Sequence, residues 1–160
     1  MSESVQYRSI DPLVVYAVDA VAAGPGPERV GPVVGALIEQ LDDALVAAGR
    51  PILEPSVFWY ESAQGSDDIV VSVSYPAGAD PEAGEGYSIV ELPAIPTAAT
   101  LLHRGDMSGI SMSWMSLFDQ LRADGYTEVG PTREVYLEAQ GHEPGPDWVT
   151  ELQVPVELAR

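Results

Sequence analysis

The stretch Pro131-Thr-Arg-Glu-Val-Tyr136 aligns with an earlier stretch of the same chain, Pro55-Ser-Val-Phe-Trp-Tyr60. Both begin with proline and a small hydroxyl residue, and both end in tyrosine. The β-branched and aromatic residues between these ends are typical of strands. We therefore predict two strands at equivalent positions of an internal repeat.

Helical patterns lie upstream of both stretches. Residues 28–48 and 108–123 carry apolar residues at spacings of three and four, which is the period of an amphipathic helix. Further strand-like runs occur at 13–21, 69–75, 87–92, 97–103 and 148–156. Each half thus has the order strand, helix, strand, strand. This order predicts an α+β fold of two pseudo-symmetric βαββ modules, with antiparallel sheets, two main helices and a central ligand cleft.

A length of 160 residues predicts a single domain over residues 1–160. We expect the first repeat at about 10–76 and the second at about 87–157. An acidic loop at about 77–86 joins them.

Composition excludes several classes of function. The formal charge is -18, from 25 acidic residues and 7 scattered arginines, so direct nucleic-acid binding is not expected. The absence of cysteine excludes disulfides and thiolate sites. Neither an apolar run of membrane-helix length nor a signal peptide is found, which predicts a cytoplasmic protein with no membrane partner.

No cofactor or metal is expected. The glycines at 24–31 lack the lysine and the spacing of a phosphate-binding loop, and no nucleophile elbow occurs. The two histidines have no ligand at a metal-binding spacing. We expect His103 to cap or pack at a strand end and His142 to lie exposed in a polar loop at 140–147.

The second repeat carries the candidate chemistry. Side chains alternate along a strand, so Glu134 and Tyr136 share one face, while Arg133 belongs to the other. The equivalent positions of the first repeat are Phe58 and Tyr60. A single carboxylate among aromatic rings is a receptor for a flat organic cation, through charge and cation–π attraction.

Other residues could complete this receptor. Trp114 on the second helix could point toward the carboxylate. Trp148, at the start of the last strand, belongs either to the rim of this pocket or to the hydrophobic core. Three methionines, Met107, Met112 and Met115, cluster around Trp114 in the sequence, and we expect Met107 and Met112 to contact the ligand. Methionine suits either an adaptable pocket or core filling. The alternative for the whole site is that Glu134 lies on a solvated sheet face and that Phe58 and Tyr60 are core.

Four stretches resemble the GyrI-like small-molecule-binding family, which includes the effector-binding domains of AraC- and MerR-type multidrug regulators. They are Glu91-Leu-Pro93, His103-Arg-Gly105, Gly130-Pro-Thr-Arg-Glu-Val-Tyr-Leu137 and Asp147-Trp-Val-Thr-Glu-Leu-Gln-Val-Pro-Val156. The resemblance covers roughly residues 10–157, and the family fold is two βαββ modules.

The resemblance implies a ligand site. In that family a strand glutamate lies in an aromatic-walled cleft and meets cationic lipophilic ligands, and Glu134, Tyr136 and Trp148 match its motif positions. Relatives often carry an aromatic residue shortly after His-Arg-Gly, where this chain has Met107, and a Trp or Tyr late in the second helix, where it has Phe118. These departures predict a softer or differently shaped pocket.

Three functions remain open. The first is a stand-alone protein that binds or sequesters cationic aromatic compounds, since the segment before Leu13 is too short for a helix-turn-helix. The second is a hydrolase of reactive cyclopropane-bearing toxins, with Glu134 and Tyr136 as acid and base. The third is an interaction protein resembling a gyrase inhibitor, whose negative charge would meet a basic partner.

Overall fold

A computed structural model describes residues 4–24, 26–63, 65–138 and 145–160. Its strands are β1 (Gln6–Ile10), β2 (Leu13–Ala22), β3 (Ser56–Ser62), β4 (Ile69–Pro76), β5 (Ser88–Leu92), β6 (Ile95–Arg104), β7 (Tyr126–Glu128), β8 (Thr132–Glu138) and β9 (Val149–Leu158). Its helices are α1 (Pro27–Ala47) and α2 (Ile110–Ala123), the latter preceded by a 3-10 turn at Met107–Gly109. The predicted α+β class is confirmed. The predicted loop at 140–147 lies only partly within the described residues, and His142 lies outside them.

The chain forms two compact units, one of Leu13–Leu92 and one of Met1–Pro12 with Pro93–Arg160. In the first unit an antiparallel sheet has the strand order β3-β4-β2-β5. Helix α1 packs on β2 and β4. It does so through leucines four residues apart, Leu37, Leu41 and Leu45, which are at most 2% exposed. That spacing places them on one helix face, as the sequence pattern predicts.

The second unit has an antiparallel sheet of order β1-β6-β9-β8, with β7 paired to the end of β9. Helix α2 packs on β6 and β7. Its buried residues Leu117 and Leu121 join Leu101, Leu152 and Val154 in one apolar core.

Each unit therefore contains a strand, a helix and two further strands in the predicted order. The strands β1 and β7 are not predicted from the sequence; they are short and pair with the long strands β6 and β9. The relation between the two repeats and the domain bounds stay predictions. Within the described residues, no helix is both long and apolar enough to cross a membrane.

Candidate functional site

The register of the second unit fixes which side chains share a face. Glu134 lies opposite Leu152, and Tyr136 lies opposite Thr150. Directly opposed residues of an antiparallel pair project to the same side of the sheet. Because Leu152 belongs to the core packed against α2, Glu134 and Tyr136 project from the helix-covered face.

Glu134 is only 6% exposed. The indole Nε1 of Trp114 donates to its Oε2 at 3.0 Å, and the hydroxyl of Tyr136 donates to its Oε1 at 2.7 Å. Both carboxyl oxygens thus accept a hydrogen bond from a ring donor. An ionised carboxylate can only accept, so both contacts suit that form, and hydrogen bonds to a charged acceptor are the strong ones.

The two donors belong to rings that are themselves packed on other rings. Tyr136 and Trp148 meet edge to face with centroids 5.8 Å apart. Trp114 stacks on Phe118 with centroids 5.8 Å apart and an interplanar angle of 24°. The structure therefore brings together Glu134 and the predicted site residues Tyr136, Trp114 and Trp148. Phe118 is not among the site residues predicted from the sequence, although its position four residues after Trp114 on the helix indicates the contact.

The start of α2 is positioned by the turn before it. The carboxylate of Asp106 accepts from the backbone N–H of Ser108 at 3.0 Å and from the Ser108 hydroxyl. The Ser108 hydroxyl is the main cause that holds the pKa of Asp106 below its usual value. His103 is 6% exposed at the end of β6, and its Nε2 donates to the Asp106 carbonyl at 2.7 Å. The expectation that His103 packs at a strand end is confirmed.

The other predicted ligand residues lie elsewhere in the chain. Phe58 is 5% exposed and Tyr60 is half-buried; both belong to β3 of the first unit, opposite Val73 and Val71. That these two residues lie beside Glu134 stays a prediction.

The two methionines predicted to contact the ligand lie near the start of α2. Met107 is half-buried in the 3-10 turn, whereas Met112 on α2 is 67% exposed. Their contact with a ligand also stays a prediction.

Arg133 projects from the opposite face of β8, where it lies opposite Gln153. Its guanidinium donates to the Pro93 carbonyl at 3.0 Å, and burial lowers its pKa. Because side chains alternate between the two faces of β8, the guanidinium of Arg133 and the carboxylate of Glu134 lie on opposite sides of the sheet. Among the described residues, no group of three or more His, Asp or Glu side chains could hold a metal ion.

Comparison with protein families shows which family the chain belongs to. The model of the GyrI-like small molecule binding domain matches residues 22–157. The chain belongs to this family, which confirms the resemblance seen in the sequence. A domain of this family binds a small molecule.

Solved structures share the fold at low sequence identity. The EcmrR C-terminal domain is 18% identical with a TM-score of 0.75, covering 99% of this chain and 100% of that one. SAV2435, solved bound to tetraphenylphosphonium, is 11% identical with a TM-score of 0.69, covering 96% and 94%. A hydrolase encoded by lin2189 from Listeria innocua is 12% identical with a TM-score of 0.60, covering 98% and 93%. No curated protein matches the sequence significantly.

Proposed function

We propose that this protein binds lipophilic aromatic cations and that Glu134 is their charge partner. The observation that carries the proposal is the environment of one carboxylate. Glu134 is buried, and its oxygens accept from an indole N–H and a phenol O–H. Both of these donors are neutral groups, and they hold the carboxylate in place on the helix-covered face of β8.

Burial makes a cation the preferred guest. Two unit charges 4 Å apart attract by about 4 kcal/mol at the effective dielectric near a protein surface, against about 1 kcal/mol in water. The carboxylate is already desolvated in the folded chain, so a cation that reaches it gains this attraction with less further loss of hydration.

The rings add to the attraction and select for aromatic guests. The faces of Trp114, Tyr136 and Trp148 present negative quadrupole charge, and each cation–π contact contributes about 0.5–2 kcal/mol. The same rings bury apolar surface of the guest. SAV2435, a relative by fold, has been solved with tetraphenylphosphonium, and that compound is of the class proposed here.

The proposal is tested by titrating a cationic aromatic dye, rhodamine 6G, and following its fluorescence anisotropy. Wild type should bind, and Glu134→Gln should bind at least thirtyfold more weakly, because losing one partner of a buried charge pair costs about 2–5 kcal/mol. Glu157→Gln is the matched control, since it removes the same charge from an exposed position of β9. Equal affinities for wild type and Glu134→Gln would refute the charge-pairing role.

A second candidate function rests on the 2.7 Å contact between the Tyr136 hydroxyl and Glu134. A carboxylate and a phenol in contact can act as general base and general acid. On an electrophilic cyclopropane, Glu134 would take a proton from water while the water oxygen forms a bond to a ring carbon. The ring C–C bond breaks, its electron pair goes to the neighbouring carbon, and Tyr136 protonates that carbon. Glu134 then returns its proton to Tyr136.

The product of this hydrolysis is heavier than the substrate by one water, which mass spectrometry detects. Tyr136→Phe should abolish turnover while retaining dye binding, because it removes the acid and leaves the carboxylate and the ring. Unchanged substrate after long incubation with wild type would exclude the hydrolase and leave the binding function intact.

A further inference from the structure

The hydroxyl of Thr150 stands out among the polar groups of the second unit. Thr150 is 0% exposed, and its Oγ1 is buried without a hydrogen-bond partner in the part of the chain that the structure describes. Buried hydroxyl groups in folded proteins nearly always have a hydrogen-bond partner, so an exception needs an explanation.

The position of Thr150 relates it to the candidate site. It lies opposite Tyr136 on β8 and opposite His103 on β6, so the three side chains form one row across the sheet. Glu134 is the next residue along β8 on the same face. Thr150 is therefore a direct neighbour of the ring whose hydroxyl holds the carboxylate.

Both neighbours direct their polar atoms elsewhere. The Tyr136 hydroxyl donates to Glu134 at 2.7 Å. The Nε2 of His103 donates to the Asp106 carbonyl, and its Nδ1 lies 2.7 Å from the Ser113 hydroxyl. Neither of these bonds involves the Thr150 hydroxyl, which has no partner among the described residues although polar residues flank it.

A threonine in this state weakens the protein. Valine has nearly the same shape and would fill the same space without burying an unsatisfied hydroxyl. Among the described residues the hydroxyl has no stabilising partner. A group that costs stability in the free protein is expected where a bound partner completes it.

We propose that the Thr150 hydroxyl is the hydrogen-bonding position of the Glu134 site, and that the natural ligand is a lipophilic cation that also carries a hydrogen-bonding group. This inference rests on the proposed binding function and narrows its ligand class. The cation meets Glu134, while a hydroxyl, amide or ring nitrogen of the ligand meets Thr150. A cation without such a group binds through charge and ring contacts alone.

A stability measurement tests the first part. Thr150→Val should leave the urea midpoint unchanged or raise it, because it removes an unsatisfied hydroxyl. Thr100→Val is the matched control, since Thr100 is 3% exposed on β6 and its hydroxyl donates to the Gln6 carbonyl at 3.3 Å. That variant should lower the midpoint. A clear fall in the midpoint for Thr150→Val would show that its hydroxyl is already bonded in the free protein and would overturn the inference.

A binding measurement tests the second part with matched probes. Tetraphenylphosphonium has no hydrogen-bonding group, and its 2-, 3- and 4-hydroxyphenyl derivatives differ from it by one hydroxyl at three positions. At least one isomer should bind wild type about five- to tenfold more tightly than the parent, as one added hydrogen bond implies. Thr150→Val should abolish that advantage and leave the affinity for the parent unchanged.

The outcomes separate this inference from the function on which it rests. If the parent cation binds wild type and loses affinity in Glu134→Gln, the proposed function stands. For each hydroxyl isomer, the ratio of its affinity to that of the parent is then compared between wild type and Thr150→Val. If this ratio is the same in both proteins for all three isomers, the inference about Thr150 is wrong.

Discussion

Replacing Trp114 with phenylalanine removes the indole N–H that donates to Glu134 at 3.0 Å and keeps a six-membered ring stacked on Phe118. A hydrogen bond to a charged group contributes about 1.5–3 kcal/mol to stability. The smaller ring also loses packing, at about 1 kcal/mol. We therefore expect Trp114→Phe to lower the free energy of unfolding by about 3 kcal/mol, which is a large part of the 5–15 kcal/mol typical of a domain.

A double-mutant cycle with Glu134→Leu isolates the hydrogen bond from the change in ring size. Urea unfolding followed by far-UV circular dichroism measures all four proteins, provided that the m-values agree. The coupling between Trp114 and Glu134 should be about 1.5–3 kcal/mol. Trp59→Phe, in β3 of the first unit, controls for ring size alone. A coupling below about 0.5 kcal/mol, the limit within which independent sites add, would refute the claim that the indole holds the carboxylate.

Two further predictions concern stability. Leu121→Ala removes a side chain that is 0% exposed in the core of the second unit and should cost about 2–5 kcal/mol by urea unfolding. Met112→Ala changes a position that is 67% exposed on the same helix, so its free energy of unfolding should stay within about 0.5 kcal/mol of wild type. Equal losses of stability for the two variants would contradict the burial described. Burial first, and then the 2.6 Å hydrogen bond to Asp42, raise the pKa of Tyr75 above its ordinary value near 10. A group with a raised pKa stabilises the fold below the unfolded value and loses that effect as pH rises through the folded one. The stability gap between wild type and Tyr75→Phe should therefore be widest below pH ~10 and narrow above it, and a gap independent of pH would contradict this.

The pairing of Glu134 with Tyr136 could be predicted from the sequence because strand alternation is local and strict. Trp114 could be placed toward them because the helical period of α2 puts it on the buried stripe with Leu117 and Leu121. The exposure of Met112 follows from the same period. It is two residues from Trp114, so their side chains diverge by about 200° around the helix.

The missing partner of Thr150 could not be predicted. It depends on the register that sets Thr150 between Tyr136 and His103, and on which atoms those two residues bond instead. Register and side-chain partners are tertiary properties, fixed by packing rather than by local pattern. The strands β1 and β7 were missed for a related reason, since they are short and gain their order by pairing with long neighbours.

The central claim is that Glu134 selects its ligand by charge. Isothermal titration calorimetry with tetraphenylphosphonium and tetraphenylborate tests it most directly, because the two ions have nearly the same shape and opposite charge. Wild type should bind the phosphonium and reject the borate, and Glu134→Gln should bind both weakly and with similar affinity. If wild type took up both ions equally, the aromatic surface alone would account for binding and the role given to Glu134 would be wrong.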